Sequence, residues 1–241
     1  MRPTWPAAVR AILKKELRVL FLTPVAWIFL AAALFLGGIF FVVGITTVGE
    51  ASLRSTLPNL AVVLLFLLPL VTMRQLAEEE RAGTLELVMT TPVPLSALIL
   101  GKWLAVLGLV ATFLVGTLPW VAVLALGGDP DSGVLVTSYL GLLACAGAFA
   151  AAGLFASSLT RDPMLAGVLG VLFLLPSWLA DASRDLAPVG LQPVLDRLSL
   201  VAHLRSFAIG VLDSADVVWF TGFIAIFLSL TWRSLEARRW A

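Results

Sequence analysis

Cysteine and histidine are almost absent from the sequence, since each occurs once, as Cys145 and His203. A single cysteine excludes a disulfide within the chain and a thiolate metal cluster. Cys145 lies in an apolar run, so we expect it to be a small packing residue. A lone histidine without a neighbouring His or Cys is expected to be a hydrogen-bonded structural residue rather than a metal ligand. The sequence therefore predicts no metal site.

Charge is also scarce. Charged residues make up 13% of the 241 residues, against about a quarter in soluble domains. Hydrophobic residues make up 60%, and the mean hydropathy is +1.03. The net charge is +1, and the basic residues form no patch that could bind a nucleic-acid backbone. This composition predicts a polytopic membrane protein whose surroundings are the lipid bilayer and not nucleic acid.

Motifs of nucleotide and hydrolytic chemistry are missing as well. The sequence contains no G-x-x-x-x-G-K-[ST], no H-E-x-x-H and no G-x-S-x-G, which excludes a P-loop, a zincin site and a nucleophile elbow. The long apolar runs carry no acidic, basic or histidine side chain in their interiors, whereas proton- or sodium-coupled carriers bury such groups. We therefore expect a chain that is not an enzyme, binds no cofactor itself, and receives any transport energy from elsewhere.

Long uncharged runs recur along the chain, each near or above the ~17–20 residues that a helix needs to cross the hydrocarbon core. The runs are 24–48, 57–73, 103–128, 133–160, 163–180 and 217–232. They predict an all-α membrane protein with six transmembrane helices, forming one transmembrane domain over residues 1–241. Small residues crowd the fourth run from Gly141 to Gly153, which predicts a seam of close helix packing.

Lysine and arginine in the flanks give the orientation. With both termini in the cytosol, 12 of the 16 basic residues fall on the cytosolic side. Those on the outer side are Arg54, Arg184, Arg197 and Arg205. This bias predicts a multi-pass protein with both termini cytoplasmic, and it places residues 74–96 in the cytosol between the second and third spans.

Residues 4–22, ahead of the first span, have the pattern of an amphipathic helix. Apolar residues fall on one face at Val9, Leu13, Leu17 and Leu20, and Arg10, Lys14 and Arg18 fall on another. Such a helix is expected to lie along the membrane surface with its cations toward the headgroups. The alternative is a cytosolic extension of the first span. Pro24 favours a break at Thr23, because a proline disfavours helix at the preceding residue.

The cytosolic stretch 74–96 holds three consecutive acids, Glu78 to Glu80, that can continue the second span as a helix. Gly83 is expected to end this helix. Thr84 is a suitable N-cap for a short helix over residues 85–89, with Glu86 near its positive end, and Pro92 stops that helix. A brief helix with exposed apolar side chains suits a groove on a soluble partner. The alternative is a solvated loop whose apolar residues lie on the headgroups.

On the outer side, residues 181–216 alternate acids with apolar residues. This segment predicts one or two short helices that dip into the outer leaflet or cap the bundle. His203 lies in this segment.

The stretch EEERAGTLELVMTTPVPLSALILGKWLA, residues 78–105, resembles the signature loop of the type 2 ABC exporter permeases, the ABC-2 superfamily. It is most similar to the branch that contains the gliding-motility and nitrous-oxide-maturation permeases. Residues 199–220 and 233–240 are similar to the same branch. One departure is Ile209, which stands where a basic residue is expected before Gly210, so the outer segment gives no basis for naming a substrate.

The resemblance implies an N-terminal elbow helix, a cytosolic coupling helix between spans 2 and 3, and re-entrant outer helices between spans 5 and 6. It implies cytosolic ABC ATPase subunits that hold the ATP and Mg²⁺, a second copy of the chain or a homologous permease, and a bacterial inner membrane. The expected ATPase-coupling residues are Glu78, Glu79, Glu80, Arg81, Gly83, Thr84, Leu85, Glu86, Leu87, Met89 and Pro92. The expected membrane-surface residues are Arg10, Lys14 and Arg18, and those of the outer segment are His203, Phe207, Gly210 and Asp213.

Two functions are compatible with this resemblance. The first is the permease subunit of an ATP-driven exporter, in which ATP closes the ATPase pair and moves the coupling helices. The alternative is a mechanotransmitting or assembly component, driven by the same ATPase without moving a substrate. An ion-coupled carrier is disfavoured by the uncharged spans.

Overall fold

Helices provide the regular structure in every part of the chain that the computed structural model describes, namely residues 4–48, 56–85, 93–127, 131–188 and 190–239. The helices are α1 Trp5–Leu22, α2 Pro24–Val48, α3 Thr56–Arg81, α4 Leu95–Gly116, α5 Leu118–Gly127, α6 Ser132–Leu159, α7 Pro163–Ser183, α8 Gln192–Leu198, α9 Leu200–Ala208 and α10 Ser214–Arg239. A short 3₁₀ helix, Arg184–Leu186, follows α7. The short helices predicted for residues 181–216 are therefore present.

Within the described ranges, six helical segments are long and apolar enough to cross a membrane. They are Pro24–Thr46, Thr56–Arg81, Leu95–Leu126, Ser132–Leu159, Pro163–Ser183 and Ser214–Arg238. The all-α class and the six-span prediction are confirmed. The third segment begins at Leu95 rather than at residue 103, and it consists of α4 and α5, which meet at Thr117 just ahead of Pro119.

The core of the bundle is built around α6. The residues of its middle from Cys145 to Gly153 are buried, and α6 packs against α3, α7 and α10. A Cβ added at Gly153 would lie 2.1 Å from Thr72 Oγ1 of α3. The Thr72 side chain of α3 thus packs directly on Gly153, and a larger residue at position 153 would force it to shift. The predicted packing seam is therefore confirmed, and Cys145 is the buried packing residue that its apolar surroundings indicated.

The amphipathic helix α1 runs alongside the first half of α4 in the same direction. Trp5 Nε1 donates to Ser96 Oγ over 3.2 Å near the start of both helices. One turn or more further on, Ile12 lies against Gly101, where an added Cβ would be 2.6 Å from Ile12 Cγ2. The apolar face of α1 is thus packed on α4, a protein surface.

After α1 the chain breaks at Thr23, which has extended backbone dihedrals (φ −92°, ψ 153°) as Pro24 predicted. Helix α2 then continues along α4 and α5 in the same direction. The rings of Phe29 and Phe113 contact each other edge to face at 6.4 Å, and Phe41 packs on a tryptophan of α5. This arrangement fits the alternative in which α1 extends the first span. A position along the membrane surface stays a prediction.

Charged side chains gather at the two ends of the bundle. At one end lie ion pairs among α1, α3, α4 and α10 and the turn between α6 and α7. At the other end, Arg184 pairs with Asp196, and Arg205 pairs with Asp181, both at 2.9 Å. An even number of spans places both termini on the same side of a membrane. In agreement with this, the N-terminal helix α1 and the C-terminal helix α10 both reach the first end. We call this first end the coupling end, after the function predicted for the stretch 74–96, because its described residues 74–85 and 93–96 lie there.

Candidate functional site

The last turns of α3 carry the three consecutive acids, and each acid has a different environment. Glu78 is exposed, whereas Glu79 and Glu80 are partly buried. Since successive residues of a helix point about 100° apart, Glu79 and Glu80 reach different neighbours. Glu79 pairs with α1 and α4, and Glu80 pairs with the α6–α7 turn and with α10. The acids at the end of α3 thus connect it to most of the coupling end.

The partner of Glu79 is a buried lysine, Lys102 of α4, whose side chain is only 1% exposed. Its ammonium lies 2.9 Å from Glu79 Oε1 and 3.1 Å from Glu16 Oε1 of α1. Lys102 also donates to the carbonyl oxygen of Gln75 over 2.8 Å. These three oxygens supply acceptors for the three N–H groups of the ammonium. A buried charge costs several kcal/mol unless it is paired and hydrogen-bonded in this way.

A second lysine, Lys15, completes this cluster from the solvent side. Its ammonium lies 3.3 Å from Glu16 Oε1 and 3.3 Å from Glu79 Oε1. Burial lowers the pKa of Lys15, but the carboxylates of Glu16 and Glu79 outweigh this effect and raise it above the usual value. Lys15 therefore remains charged at neutral pH. We refer to Lys15, Glu16, Glu79 and Lys102 as the buried charge cluster.

Glu80 makes the connection on the opposite side of α3. Its Oε1 lies 2.9 Å from Arg161 Nε in the turn between α6 and α7. Its Oε2 pairs with the Arg238 guanidinium near the end of α10. Arg238 also donates to the carbonyl oxygen of Ser158 over 2.6 Å, which ties α10 to the last turn of α6.

The hydroxyl of Ser157 fixes the same end of α3 to α6. Ser157 Oγ accepts from the backbone N–H groups of Leu76 and Ala77, both at 3.0 Å, and donates to the carbonyl oxygen of Met73 at 2.9 Å. The end of α3 is thus held by a neutral contact as well as by ion pairs.

The stretch after α3 begins as predicted. Gly83 has φ +69°, a left-handed conformation that favours glycine, and its N–H donates to the Glu80 carbonyl over 3.0 Å. The Thr84 hydroxyl donates to the Glu79 carbonyl over 3.1 Å, so it contributes to the end of α3. Thr84 and Leu85 are helical.

Not every predicted coupling residue points outward. Leu85 is buried against Leu76, Ile99, Leu154 and Leu235, so it belongs to the core rather than to an exposed apolar surface. Arg81 is exposed, like Glu78. Four other predicted coupling residues, Glu86, Leu87, Met89 and Pro92, lie outside the described residues. The cations of α1, Arg10, Lys14 and Arg18, are all exposed.

At the opposite end, His203 belongs to a second buried polar group. His203 Nδ1 lies 2.5 Å from Asp216 Oδ1, and the imidazole stacks on the Trp219 ring at 4.7 Å. Trp219 Nε1 donates to the Arg197 carbonyl over 2.7 Å. These contacts join α9 to α10. His203 is thus the hydrogen-bonded structural residue that its isolation in the sequence indicated.

The other outer residues also have structural roles. Phe207 is buried and packs on Gly141 of α6, where an added Cβ would be 2.5 Å from Phe207 Cβ. Gly210 ends α9 with φ +89°. Asp213 caps α10 by accepting from the N–H of Ala215 over 2.9 Å. Among the described residues, no group of three His, Cys, Asp or Glu side chains is arranged to hold a metal ion.

Sequence reasoning missed the charges that become buried, Glu16, Lys102 and Asp216, and the hydroxyl of Ser157. One signal was present, because Glu16 falls at position i+7 from Val9 and therefore lies on the apolar face of α1. A charge on an apolar face requires a partner. The partner, Lys102, lies in another helix and cannot be identified from local spacing.

Comparison with known proteins identifies a family. No curated protein matches the sequence. Residues 46–180, more than half of the 241-residue chain, match the profile of the family described as ABC-2 family transporter protein. The matched region runs from the end of α2 to α7 and includes the end of α3 with its acids. This match does not support the narrower gliding-motility and nitrous-oxide-maturation branch. The chain belongs to the ABC-2 family of transporter membrane proteins.

Proposed function

We propose that this chain is the permease subunit of an ATP-driven exporter, and that the stretch after α3 is the contact with a separate ATPase subunit. Family membership makes the chain a membrane transport component that is not itself catalytic. Two copies of the chain, or one copy and a homologous permease, would assemble with two ATPases in a bacterial inner membrane, with both termini in the cytosol.

The observation that carries this proposal is the way the acids at the end of α3 are connected. Glu79 links α3 to α1 and α4, and Glu80 links it to Arg161 and Arg238. A movement of the stretch after α3 would therefore act on α1, α3, α4 and α10 and on the turn between α6 and α7 at once. Interfaces of this kind convert a local displacement into a rigid-body shift, because packed cores have discrete arrangements rather than continuous ones.

Exposed charges directly ahead of the predicted coupling helix support an ATPase contact there. Glu78 and Arg81 are exposed, and neither makes an ion pair within the described part of the chain. Charged groups at the rim of an interface steer association and fix its register. Glu79 and Glu80, by contrast, are poor positions for testing the contact because they hold internal ion pairs.

The proposal is tested by co-expressing the chain with the ABC ATPase encoded beside it. Arg81→Glu and Leu87→Asp are expected to reduce both the recovered ATPase and the ATP hydrolysis of the membrane complex. Arg233→Glu is the matched control, since Arg233 is an exposed arginine of α10 near the same end. If Arg81→Glu and Leu87→Asp both leave complex recovery and ATP hydrolysis at the level of this control, the coupling assignment is wrong.

Export and mechanotransmission are separated by a second measurement. Inside-out vesicles that contain the complex are expected to accumulate substrate in an ATP-dependent manner if the chain is an export permease. The mechanotransmitting alternative predicts a different pair of results. ATP hydrolysis would still respond to the Arg81→Glu change, but none of the substrates tested would accumulate.

A further inference from the structure

We propose that α3 contains a hinge at residues 69–77, between its membrane-spanning part and the acids that it carries at the coupling end. Three departures from regular helix bonding fall in this segment, and the segment packs against glycines of α6 and α7. We call residues 69–77 the α3 hinge. The hinge follows from the contacts of α3, whereas its movement by an ATPase rests on the proposed function.

The first departure is a proline. Pro69 lies inside α3, and it has no N–H group to donate to the carbonyl oxygen of Leu65, four residues earlier. Sharp kinks in helices occur at prolines and at a few other interruptions of the backbone hydrogen bonds. Membrane helices retain such prolines where neighbouring helices and hydroxyl side chains satisfy the freed backbone groups. The α3 helix therefore lacks one backbone restraint at the start of the hinge.

The second departure is a hydroxyl that bonds back to its own helix. Thr72 Oγ1 donates to the carbonyl oxygens of Leu68 and Pro69, over 3.1 Å and 3.3 Å. Bonds of this kind compete with the backbone bonds, slightly destabilise a helix and often bend it. Thr72 follows Pro69 by less than one turn, so both departures act on the same part of α3.

The third departure comes from α6. In a regular helix the N–H of Ala77 would donate to the carbonyl oxygen of Met73. The Ser157 hydroxyl bonds to both of these groups, because its Oγ accepts from the Ala77 N–H over 3.0 Å and donates to the Met73 carbonyl over 2.9 Å. A side chain that inserts between backbone groups in this way is another cause of helix kinks. Ser157 is fully buried, so its hydroxyl satisfies these groups where water does not reach.

The neighbouring helices present glycines to the α3 hinge. A Cβ added at Gly170 of α7 would lie 3.2 Å from Pro69 Cβ, and one added at Gly167 would lie 3.1 Å from Met73 Sδ. Gly153 of α6 faces the same segment. Helices usually interlock because the side-chain ridges of one fit the grooves of the other. At these three positions no side chain projects toward α3, so the segment can rotate without crossing a ridge.

The ion pairs beyond the hinge determine which helices move with the end of α3. Glu79 contacts Lys102, whose side chain is 1% exposed. Glu80 contacts Arg161 and Arg238, whose side chains are 77% and 29% exposed. Water replaces a partner lost at an exposed site but not at a buried one, so the buried pair is much harder to break. A swing about the hinge therefore keeps the end of α3 with α1 and α4, and it opens the contacts of Glu80.

Apolar contacts limit the size of this swing. Leu76 and Leu85 pack with Ile99 of α4, Leu154 of α6 and Leu235 of α10. Apolar contacts are non-directional, so these side chains tolerate a small sliding displacement. A large displacement would expose them and is opposed by the hydrophobic effect. The hinge thus permits a limited movement between the α1–α3–α4 side and the α6–α10 side of the coupling end.

The hinge is tested first without an ATPase, on the full-length chain in phospholipid nanodiscs. Double electron–electron resonance measures the distance between spin labels on cysteines introduced at Phe66 and Arg81, which are both exposed and lie before and after the hinge. A straight helix would separate these positions by about 22 Å along its axis. The native Cys145 is fully buried, and the chain without added cysteines shows whether it takes up label.

Pro69→Ala restores the missing N–H and is expected to narrow the 66–81 distance distribution to about half the wild-type width. Thr72→Val removes a hydroxyl whose bonds are made only within α3 and is expected to narrow it as well. Pro176→Ala is the matched control, since it removes a proline from inside α7, outside the labelled segment. Equal widths for the wild type and Thr72→Val would overturn the hinge even if Pro69→Ala does not fold, and so would equal narrowing by Pro176→Ala.

The movement is tested by adding the ATPase and a non-hydrolysable ATP analogue. The 66–81 distance is expected to shift in the wild type and to shift less in Pro69→Ala. A label pair at Arg10 and Arg81 is expected to keep its distance, whereas a pair at Arg81 and Arg233 is expected to change. The reverse result would contradict the grouping of α3 with α1. If no distance responds to the ATPase while Pro69→Ala still narrows the distribution, the hinge stands and the proposed function is contradicted.

Discussion

Replacement of the buried lysine by an apolar residue, Lys102→Met, is expected to destabilise the coupling end strongly. The change removes the ammonium from between Glu16 and Glu79 and leaves the Gln75 carbonyl without its donor. Breaking a buried pair by removing one partner costs about 3–5 kcal/mol. Lys15 still faces both carboxylates, so we expect a cost of about 3 kcal/mol, at the lower end of this range.

Thermal unfolding of the purified protein in detergent measures this effect. For a chain of this size, a loss of 3 kcal/mol lowers Tm by roughly 6–12 °C. Lys14→Met is the matched control, because Lys14 is an exposed neighbour on α1 that makes no ion pair in the described structure. Lys15→Met is expected to cost less than about 1 kcal/mol, since half of the Lys15 side chain is exposed.

A double-mutant cycle separates the ion pair from a loss of packing. Adding Glu79→Gln to Lys102→Met removes the unpaired charge, so the double variant is expected to be less destabilised than the sum of the two single variants. Additive effects of the two changes would refute the reasoning. So would a Tm of Lys102→Met within about 2 °C of the Lys14→Met control, because such a difference is worth less than about 1 kcal/mol.

Two further predictions concern the contact between α3 and α6. Gly153→Ala places a Cβ 2.1 Å from Thr72 Oγ1, so overpacking is expected to cost about 1–3 kcal/mol in thermal unfolding. Gly222→Ala, which meets nothing within 4 Å, is the control, and equal Tm values for the two variants would contradict the close approach. Ser157→Ala removes the hydroxyl contacts to α3 and is expected to cost about 1–3 kcal/mol. A Tm unchanged from the wild type would show that the α3 backbone does not depend on this hydroxyl.

Much of the fold could be predicted from the sequence, because a bilayer imposes simple requirements on its spans. Length and hydropathy were enough to predict six spans, and the small residues from Gly141 to Gly153 predicted the central seam. The break at Thr23 and the end of the helix at Gly83 followed from local backbone chemistry. Each of these features depends on residues that are close together in the sequence.

The pairing of charges could not be predicted in the same way. Glu16 and Lys102 are 86 positions apart, and Glu80 and Arg161 are 81 apart, so no local spacing connects them. Leu85 was predicted among exposed apolar residues, yet it is buried with Leu76 and Leu235. An apolar side chain beside acids can turn toward a partner or toward the core, and only the packing of distant helices decides between them.

Site-specific photocrosslinking tests the central claim, that the stretch after α3 contacts an ATPase, most directly. A photoreactive residue is placed at position 81 or position 233 of the chain and the membrane complex is irradiated with its ATPase. A permease predicts a crosslink to the ATPase from position 81 and none from position 233. Crosslinking from position 233 alone, in a complex that still hydrolyses ATP, would contradict the account.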